Sequence, residues 1–400
     1  MGVDLPAYRA ILKDVKRYGL RGLAYIPVLE YLQMAGRAGR PKFDTEGEAL
    51  CIAINEKDKK TLFEKYVHGQ PEAIYSKLAV EPVLRTYLLS LIAARFVNSR
   101  KEIIDFFSKT FWAHQFMDLA KLRFVIDKML RLLEEWEFIL EKKEDDFVDA
   151  NSLASDTMRA TVMGRRVAQL YIDPLTARNF IVALQNASDK KVHMFSFLHI
   201  VSNTLEMRPL LRVSVKDEDI IQEYLLKRSD YLLQNEPSLY DPDYEEFLNS
   251  IKTAYLLEEW ANEKTEEYLL EHFKARPGEL RMKLDTADWL LYACEEISRL
   301  LHYQSLNREL SKLRIQLKYG IKEELLPLIK VKQIGRVRAR MLFQNRIRTI
   351  KDLKDADLMT LSQLLGKQVA LSIKEQLGEE IEMIPEGKRK GQISLEDYRE

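Results

Sequence analysis

The sequence predicts a mainly helical protein that begins with a partial α/β unit. Leucine, glutamate, lysine and arginine dominate the 400 residues, whereas glycine (15) and proline (12) are scarce, a composition that favours helices. Residues 1–60 differ from the rest, because they hold short runs of small and β-branched residues that are typical of buried strands. From about Pro71 onward the apolar residues recur with helical spacing. A chain of this length usually forms more than one domain.

The N-terminal segment contains two predicted strands, in "YRAILKDV" (residues 8–15) and "EALCIAIN" (residues 48–55). Between them, "KRYGLRGLAY" predicts a hairpin with glycines at its bend, and "PVLEYLQMAG" predicts a helix. A complete sheet domain needs about 100 residues or more. The segment therefore has the pattern of the last part of an α/β sheet domain, cut off at its N-terminal side.

The next segment predicts a helix in "EPVLRTYLLSLIAARFV", a helix in "KEIIDFFSKTFWAHQF", a recognition-type helix from Leu122 and a two-stranded wing around Phe138–Val148. This is the order of a winged helix, although the pattern alone fits a plain helical bundle equally well. Residues 171–320 carry long amphipathic segments with short loops, which predicts one helical domain. Residues 321–384 are a further predicted domain, and the polar tail 385–400 is predicted to be mobile.

Charge and composition restrict the classes of protein that need to be considered. Basic and acidic residues balance at 62 each, so any basic surface for nucleic acid must be local. Two distant cysteines indicate a reducing compartment, and apart from His193 and His199, which are six apart, no histidines approach zinc-ligand spacing; we expect no metal site. No apolar run approaches the roughly 20 residues that cross a bilayer, and no signal peptide is present, which predicts a cytoplasmic protein without membrane contact.

Two glycine–arginine pairs follow the first predicted helix, in "QMAGRAGRP" (residues 33–41). The planar arginine fork suits phosphate oxygens, and the glycines let the backbone turn tightly beside a ligand. Arg37 and Arg40 could stabilise the charge on a transferring γ-phosphoryl group as arginine fingers, with Gln33 orienting water or a phosphate oxygen. The alternative is a glycine-containing loop with solvated arginines.

Together with "GVDLPA" (Gly2–Ala7), this segment resembles the last two motifs of the Ski2-like helicases of superfamily two, in the same order and at about the same separation. Within that group the chain is most similar to the archaeal DNA helicases of the Hjm type. The likeness continues through "VAQLYI" (residues 167–172), "DWLLYACEEISRLL" (288–301) and "GIKEELLPL" (320–328), and covers essentially the whole chain. One departure is Asp4, where the family usually has asparagine.

The resemblance implies a partial RecA-like lobe in an ATP-dependent helicase that uses ATP and Mg²⁺. It implies a catalytic role for Gln33, Arg37 and Arg40, and nucleotide contacts for Gly2, Asp4, Gly36 and Gly39. The sequence contains no Walker A motif and no D-E-x-H box, which these helicases carry on their first RecA-like lobe. We therefore expect a C-terminal half, from a truncated or split gene, that neither hydrolyses ATP nor holds ATP and Mg²⁺ stably by itself. The missing first lobe would act in cis or as a separate chain.

The resemblance also assigns the hairpin at Asp14–Tyr25 as a wedge that splits the duplex. Lys16, Arg17, Tyr18 and Arg21 are expected near its tip, where cations hold phosphates and an aromatic ring stacks on the last base pair. The alternative is an ordinary hairpin with a solvated basic turn.

The predicted helix from Glu279 places a group of side chains in one sector less than about 90° wide: Arg281, Asp285, Trp289, Tyr292 and Arg299. Trp289 thus lies beside the polar face. Either another helix covers it, or it stacks on single-stranded bases while Arg281 and Arg299 bind phosphates. The family has an arginine and a tryptophan eight residues apart on its ratchet helix, which favours the second interpretation.

A third basic motif lies in "VKQIGRVRARML" (Val331–Leu342). Helix–hairpin–helix modules use such a turn to present backbone N–H groups to a phosphate, here around Gly335. Arg336, Arg338 and Arg340 would add positive charge. Only one glycine is present where the usual form is G-x-G, so side-chain contact with DNA is the firmer expectation.

Together with these observations, the resemblance implies the C-terminal part of an ATP-dependent DNA helicase that acts on forked or branched DNA in replication and repair. The 3′ to 5′ direction and the preference for DNA over RNA come from the resemblance and not from any spacing in the sequence. The predicted domains are the last part of the second RecA-like lobe (1–70), a winged helix (71–170), a helical ratchet domain (171–320), a helix–hairpin–helix domain (321–384) and the tail (385–400). The partners are single-stranded and forked DNA, and the chain is predicted to be a monomer. Two alternatives remain: a non-catalytic DNA-binding adapter, and a fragment of an RNA helicase of the same superfamily.

Overall fold

The computed structural model describes residues 7–19, 22–39, 44–116, 118–142, 157–188 and 190–378. The chain divides after Lys77 into two compact units, Met1–Lys77 and Leu78–Glu400. Four predicted site residues lie outside the described residues: Gly2, Asp4, Arg21 and Arg40. The tail predicted to be mobile (385–400) lies outside them as well.

The first unit is a small α/β structure whose elements confirm the two predicted strands, the hairpin and the helix. They are β1 (Arg9–Leu12), β2 (Lys16–Gly19), β3 (Gly22–Tyr25), α1 (Val28–Ala35), β4 (Glu48–Cys51) and α2 (Glu56–Leu62), followed by a π-helical turn at Phe63–Val67. β1 pairs in parallel with β4, and β2 pairs antiparallel with β3. Its core consists of Leu12, Val15, Ile26, Val28, Tyr31, Leu62 and Tyr66.

The second unit begins with a helix-turn-helix arrangement and a two-stranded wing. Its elements are α3 (Glu81–Ala93), α4 (Arg100–Ser108), α5 (Phe111–Phe116), α6 (Leu119–Glu135), β5 (Ile139–Lys142), β6 (Thr157–Ala160) and α7 (Val162–Leu170). Residues 101–116, predicted as one helix, form two, because the N–H groups of Lys109 and Thr110 bond three residues back and close the first helix.

The wing differs from its predicted position. β5 pairs antiparallel with β6, so the second strand begins at Thr157, beyond the predicted range around Phe138–Val148. Arg100 holds α4 against α6 and the wing, through Asp127 at 2.6 Å and Glu141 at 2.7 Å. Gly164 lets α7 approach the wing, since a Cβ there would lie 1.9 Å from the backbone oxygen of Phe138.

The same unit continues with a set of packed helices. Its helices are α8 (Pro174–Ser188), α9 (Met194–Ser202), α10 (Glu218–Leu226), α11 (Tyr244–Ala261), α12 (Glu266–Phe273), α13 (Pro277–Leu300) and α14 (Gln304–Tyr319). One large core joins these helices, apart from α12, to the helix-turn-helix part, and the buried side chains of α12 belong to a small separate cluster. The buried, bidentate pair of Arg85 on α3 and Asp173 before α8 crosses this junction, with both nitrogen–oxygen distances at 2.5 Å.

A small helical bundle with its own core follows α14. It contains α15 (Leu326–Ile329), α16 (Arg336–Gln344), α17 (Ile350–Asp355), α18 (Leu358–Leu365) and α19 (Lys367–Gln376). Among the described residues, none of the helices combines the length and apolar composition that a bilayer crossing requires.

Candidate nucleotide and nucleic-acid interfaces

The glycine–arginine segment leaves the C-terminal end of α1 and turns back against β1. The N–H of Gly36 closes α1 by bonding the oxygen of Leu32 at 2.8 Å. The backbone of Ala7, just before β1, then donates to Arg37 (3.0 Å) and accepts from Gly39 (2.7 Å). The side chains of Gln33 and Arg37 are both exposed at this helix end. Backbone hydrogen bonds therefore fix the motif against β1, and these two polar side chains lie on the exposed surface of the helix end.

One residue that supports this segment was missed by sequence reasoning. Gly39 has a left-handed φ of +87°, and its backbone packs on that of Gly47. A Cβ on Gly47 would lie 2.3 Å from the Gly39 nitrogen, so only glycine fits at position 47. The signal was the glycine in "TEGEA" (residues 45–49), which directly precedes β4.

The carboxylate of Glu72 fixes the other end of α1. It accepts from the N–H groups of Val28 (2.7 Å) and Leu29 (3.2 Å), the orphan donors of the first turn. The Val28 N–H, followed by the other backbone donors, lowers the pKa of Glu72. Both ends of the helix that carries Gln33 are therefore anchored within the first unit.

The hairpin corrects the predicted placement of two basic residues. Lys16 is paired with Tyr25 and Arg17 with Ala24, at the end of the ladder away from the turn, so neither lies near the tip. Lys16 Nζ lies 4.6 Å from the centre of the Tyr25 ring and 3.5 Å from Asp58. The ladder places position 18 nearer the turn, between Arg17 and Gly19.

The base of the hairpin is tied to both helices of the first unit. Arg17 pairs with Glu30 of α1 at 2.8 Å, and the Tyr25 hydroxyl donates to Asp58 of α2 at 3.1 Å. Backbone donation from Ile54, together with Tyr25 and Lys16, lowers the pKa of Asp58. The two cations thus anchor the base of the hairpin to the first unit.

A groove of about 650 Å³ on the second unit was not foreseen from the sequence. It lies between the end of α3, the strand β6 and the start of α7, and three exposed arginines line it: Arg95, Arg159 and Arg165. Among the described residues, no carboxylate lines this groove, and no acidic side chain pairs with any of the three guanidiniums. Unpaired cations around a groove of this size suit a phosphodiester backbone.

The helix α13 brings Arg281 and Trp289 to the surface in different ways. Arg281 is 77% exposed and pairs along the helix with Asp285, itself 63% exposed, at 3.1 Å. Such an exposed pair is worth only about 0.5 kcal/mol, so a phosphate could displace the carboxylate. Trp289 is half-buried against the core, and its indole N–H donates to the oxygen of Leu170 at 3.0 Å. The two interpretations of Trp289, packing and stacking, both fit this position.

The remaining predicted residues of this helix form a charged network. Arg299 is exposed and pairs with Glu295 and Glu296 one turn earlier. Glu296 also pairs with Arg166 of α7 at 2.5 Å, and Arg166 donates to the Tyr292 hydroxyl at 3.1 Å. Arg299 therefore carries two acidic neighbours, whereas Arg281 has one.

The C-terminal arginines differ from one another in accessibility. The Arg336 guanidinium lies 4.9 Å from the centre of the Trp260 ring and donates to the oxygen of Lys264 at 2.8 Å. Burial lowers the pKa of Arg336. Arg338 donates to the Gln333 oxygen at 2.7 Å.

Arg340 is held by carboxylates on two other segments. Its guanidinium donates two hydrogen bonds, of 2.7 and 2.5 Å, to the Glu263 carboxylate and forms an ion pair with Glu324 at 2.7 Å. Burial raises the pKa of Glu263, but the hydrogen bonds from Arg340 and the N–H of Lys322 outweigh it and leave that pKa lowered. Arg336 and Arg340 thus fasten the small bundle to the loop after α11, and a nucleic acid could reach them only in competition with these partners. Gly335 caps α16, and a Cβ there would meet nothing within 4 Å.

Within the described ranges, no group of three or more histidine, cysteine, aspartate or glutamate side chains is placed to hold a metal ion.

Comparison with known proteins defines the class first. Residues 195–320 match the family model described as archaeal helicase, domain 4, and residues 47–140 match a helix-turn-helix domain. The first match covers α9 to α14 with the face that carries Trp289, and the second includes α3 to α6. The winged-helix interpretation is thereby confirmed over the plain bundle.

Individual relatives then narrow the class. The chain is 36% identical over 398 residues to the ATP-dependent DNA helicase Hel308 of Thermococcus kodakarensis. The aligned region covers 98% of this chain and 34% of that relative. The chain is 37% identical over 390 residues to Hel308 of Methanocella arvoryzae, with 96% and 50% covered, and 35% identical over 398 residues to that of Pyrococcus horikoshii, with 98% and 53% covered. The chain thus spans about half or less of the length of these relatives. It corresponds to a C-terminal portion of an archaeal Hel308-type helicase.

Proposed function

We propose that this chain is the DNA-tracking part of an ATP-dependent DNA helicase that moves 3′ to 5′ and unwinds forked or branched DNA in replication and repair. The single observation that carries the proposal is the similarity to DNA helicases along nearly the whole chain. The proposed roles of the segments follow the predicted domains: a partial RecA-like lobe, a winged helix, a ratchet domain and a helix–hairpin–helix domain.

The first unit supplies residues for the nucleotide in this proposal. Exposed Gln33 and Arg37 at a rigid helix end, with Gly36 and Gly39 in the turn, fit one side of a triphosphate, and Arg40 follows directly in the sequence. Bound ATP with Mg²⁺ would supply the phosphoryl group whose hydrolysis drives movement; Arg37 and Arg40 would stabilise charge on that group. Since no Walker lysine is present in the chain, ATP has to be held mainly by another lobe.

The second unit holds the DNA. Single-stranded bases pass along α13, where Trp289 stacks and Arg281 and Arg299 contact phosphates. The groove lined by Arg95, Arg159 and Arg165 binds the backbone of the duplex ahead of the fork. None of its described lining residues is a carboxylate, so binding there breaks no ion pair among them. The hairpin between β2 and β3 separates the strands with its turn.

Substitutions in the groove test the proposed duplex binding directly, with the 400-residue chain alone. Arg95→Ala, Arg159→Ala and Arg165→Ala combined should weaken binding to a forked oligonucleotide and lower the slope of log affinity against log salt by about two to three. The matched control replaces three other surface cations with alanine, at Lys190, Lys191 and Lys216. Equal slopes for the two triple variants would refute duplex binding by the groove.

ATP hydrolysis distinguishes the proposed helicase from the alternative, a non-catalytic DNA-binding adapter. The chain alone should bind DNA without DNA-stimulated ATP hydrolysis. Joined to the N-terminal portion of one of its relatives, it should hydrolyse ATP, and Arg37→Ala should then lower the rate by about a hundredfold with DNA affinity nearly unchanged. An inactive but folded joined protein would favour the adapter. Equal affinity for matched RNA and DNA strands would favour the RNA helicase.

A further inference from the structure

The motif "VAQLYI" contains an aromatic residue whose role is not explained by packing. Tyr171 follows the last residue of α7, and its side chain is 79% exposed. In the part of the chain that the structure describes, its ring stacks on no other ring and its hydroxyl makes no hydrogen bond. Neither the core nor the helix end therefore depends on the ring.

The backbone at this residue is unusual for an aromatic side chain. Tyr171 caps α7 in the left-handed conformation, with φ +58° and ψ +27°, and its N–H bonds the oxygen of Ala168. Glycine or asparagine takes this conformation at lower cost, so a helix end alone gives no reason for tyrosine. A strained, exposed and unpartnered aromatic residue is a reason to look for a ligand.

The surroundings indicate which ligand. The oxygen of Leu170, the residue before Tyr171, accepts the indole N–H of Trp289 at 3.0 Å. Four residues before the helix ends, Arg166 donates to the hydroxyl of Tyr292, which is exposed on the next turn of α13. Tyr171 therefore directly follows a residue that contacts Trp289, and it lies five residues after Arg166, which contacts Tyr292 one turn further along α13.

We propose that Tyr171 is a second base-stacking platform, beside Trp289, for unpaired bases of single-stranded DNA. Every base offers a flat π-face, so a stack of this kind is tolerant of sequence, as a tracking surface requires. The inference rests on the proposed function, and it adds a contact from the winged helix to the strand that α13 carries.

Two variants of the 400-residue chain, Tyr171→Gly and Tyr171→Phe, test whether the ring binds bases. Glycine relieves the left-handed backbone, so this variant should melt no lower than the wild type, yet it should bind a fluorescent oligothymidine of about 20 nucleotides roughly tenfold more weakly. Phenylalanine keeps the ring and should retain the affinity. Tyr240→Ala is the control, because Tyr240 is 96% exposed in the loop before α11 and should change neither property.

An abasic oligonucleotide of equal length tests whether the lost affinity comes from contacts with the bases or with the backbone. The wild type and Tyr171→Gly should bind this backbone equally, since nothing can stack on either. If Tyr171→Gly binds oligothymidine as tightly as the wild type does, Tyr171 is not a base-stacking platform, and the proposed function is unaffected. A defect of the same size on the abasic strand would also overturn the platform, because the loss would then not involve bases. If the wild type fails to bind single strands at all, the proposed function and this inference fall together.

Discussion

Replacement of Trp289 by alanine should lower both stability and DNA affinity. The side chain is half-buried against the core of the second unit and donates one hydrogen bond to Leu170. A fully buried tryptophan costs about 3–5 kcal/mol on truncation, and the exposed part of this ring reduces that to about 2–3 kcal/mol, hydrogen bond included. If the exposed part stacks on a base, affinity for single strands should fall by about 1–3 kcal/mol as well.

Trp289→Phe separates the two contributions. It retains most of the ring contact and the π-face but removes the indole N–H, so the expected loss of stability is about 1 kcal/mol, from an unpaired oxygen on Leu170. Single-strand affinity should stay close to that of the wild type. Arg281→Ala should leave stability unchanged, because its partner Asp285 is exposed, and should lower the salt slope of binding by about one.

The assay is urea denaturation of each variant, followed by titration with an oligonucleotide well below the unfolding transition. Tyr240→Ala serves as the control for loss of a surface ring. A loss of about 3–5 kcal/mol in stability for Trp289→Ala, with unchanged affinity of the folded protein and an unchanged slope for Arg281→Ala, would refute the stacking role and leave Trp289 as a core residue.

Other positions give independent tests. Gly164→Ala should destabilise by about 1–3 kcal/mol in thermal melting, because its Cβ would lie 1.9 Å from the carbonyl oxygen that precedes β5; Gly278→Ala, where a Cβ meets nothing within 4 Å, is the control, and equal effects would contradict the argument. Burial lowers the pKa of His199 to about 4, against about 6.5 when unfolded. The unfolded chain then binds the extra proton first, so stability should fall as pH drops from about 6.5 to about 4 by up to about 3 kcal/mol, and His199→Leu should flatten that part of the stability–pH curve. Glu263→Gln and Arg340→Ala should each cost about 1–2 kcal/mol and be non-additive in a double-mutant cycle; additive losses would mean that the pair seen at 2.5 Å contributes nothing.

Local patterns predicted the elements of this protein well. Helical periodicity placed α3, α8 and α13, and the glycines of the hairpin placed β2 and β3, because these features depend on neighbours within a few residues. The break between α4 and α5 was missed, since periodicity continues across Lys109 and Thr110 while the hydrogen bonds do not. The second wing strand was misplaced because strand pairing joins residues far apart in sequence.

The sequence by itself determined the helical class, the order of the motifs and their resemblance to helicases, because each depends on residue types at short, fixed spacing. The tertiary structure decided which charged residues remain available. Arg340 pairs with Glu263, which lies 77 residues away in sequence, and Arg17 pairs with Glu30. Arg95, Arg159 and Arg165 instead line a groove in which none of the described lining residues is acidic. A guanidinium interacts with whatever the fold brings within a few ångströms, and those distances are set by packing between elements rather than by spacing along the chain.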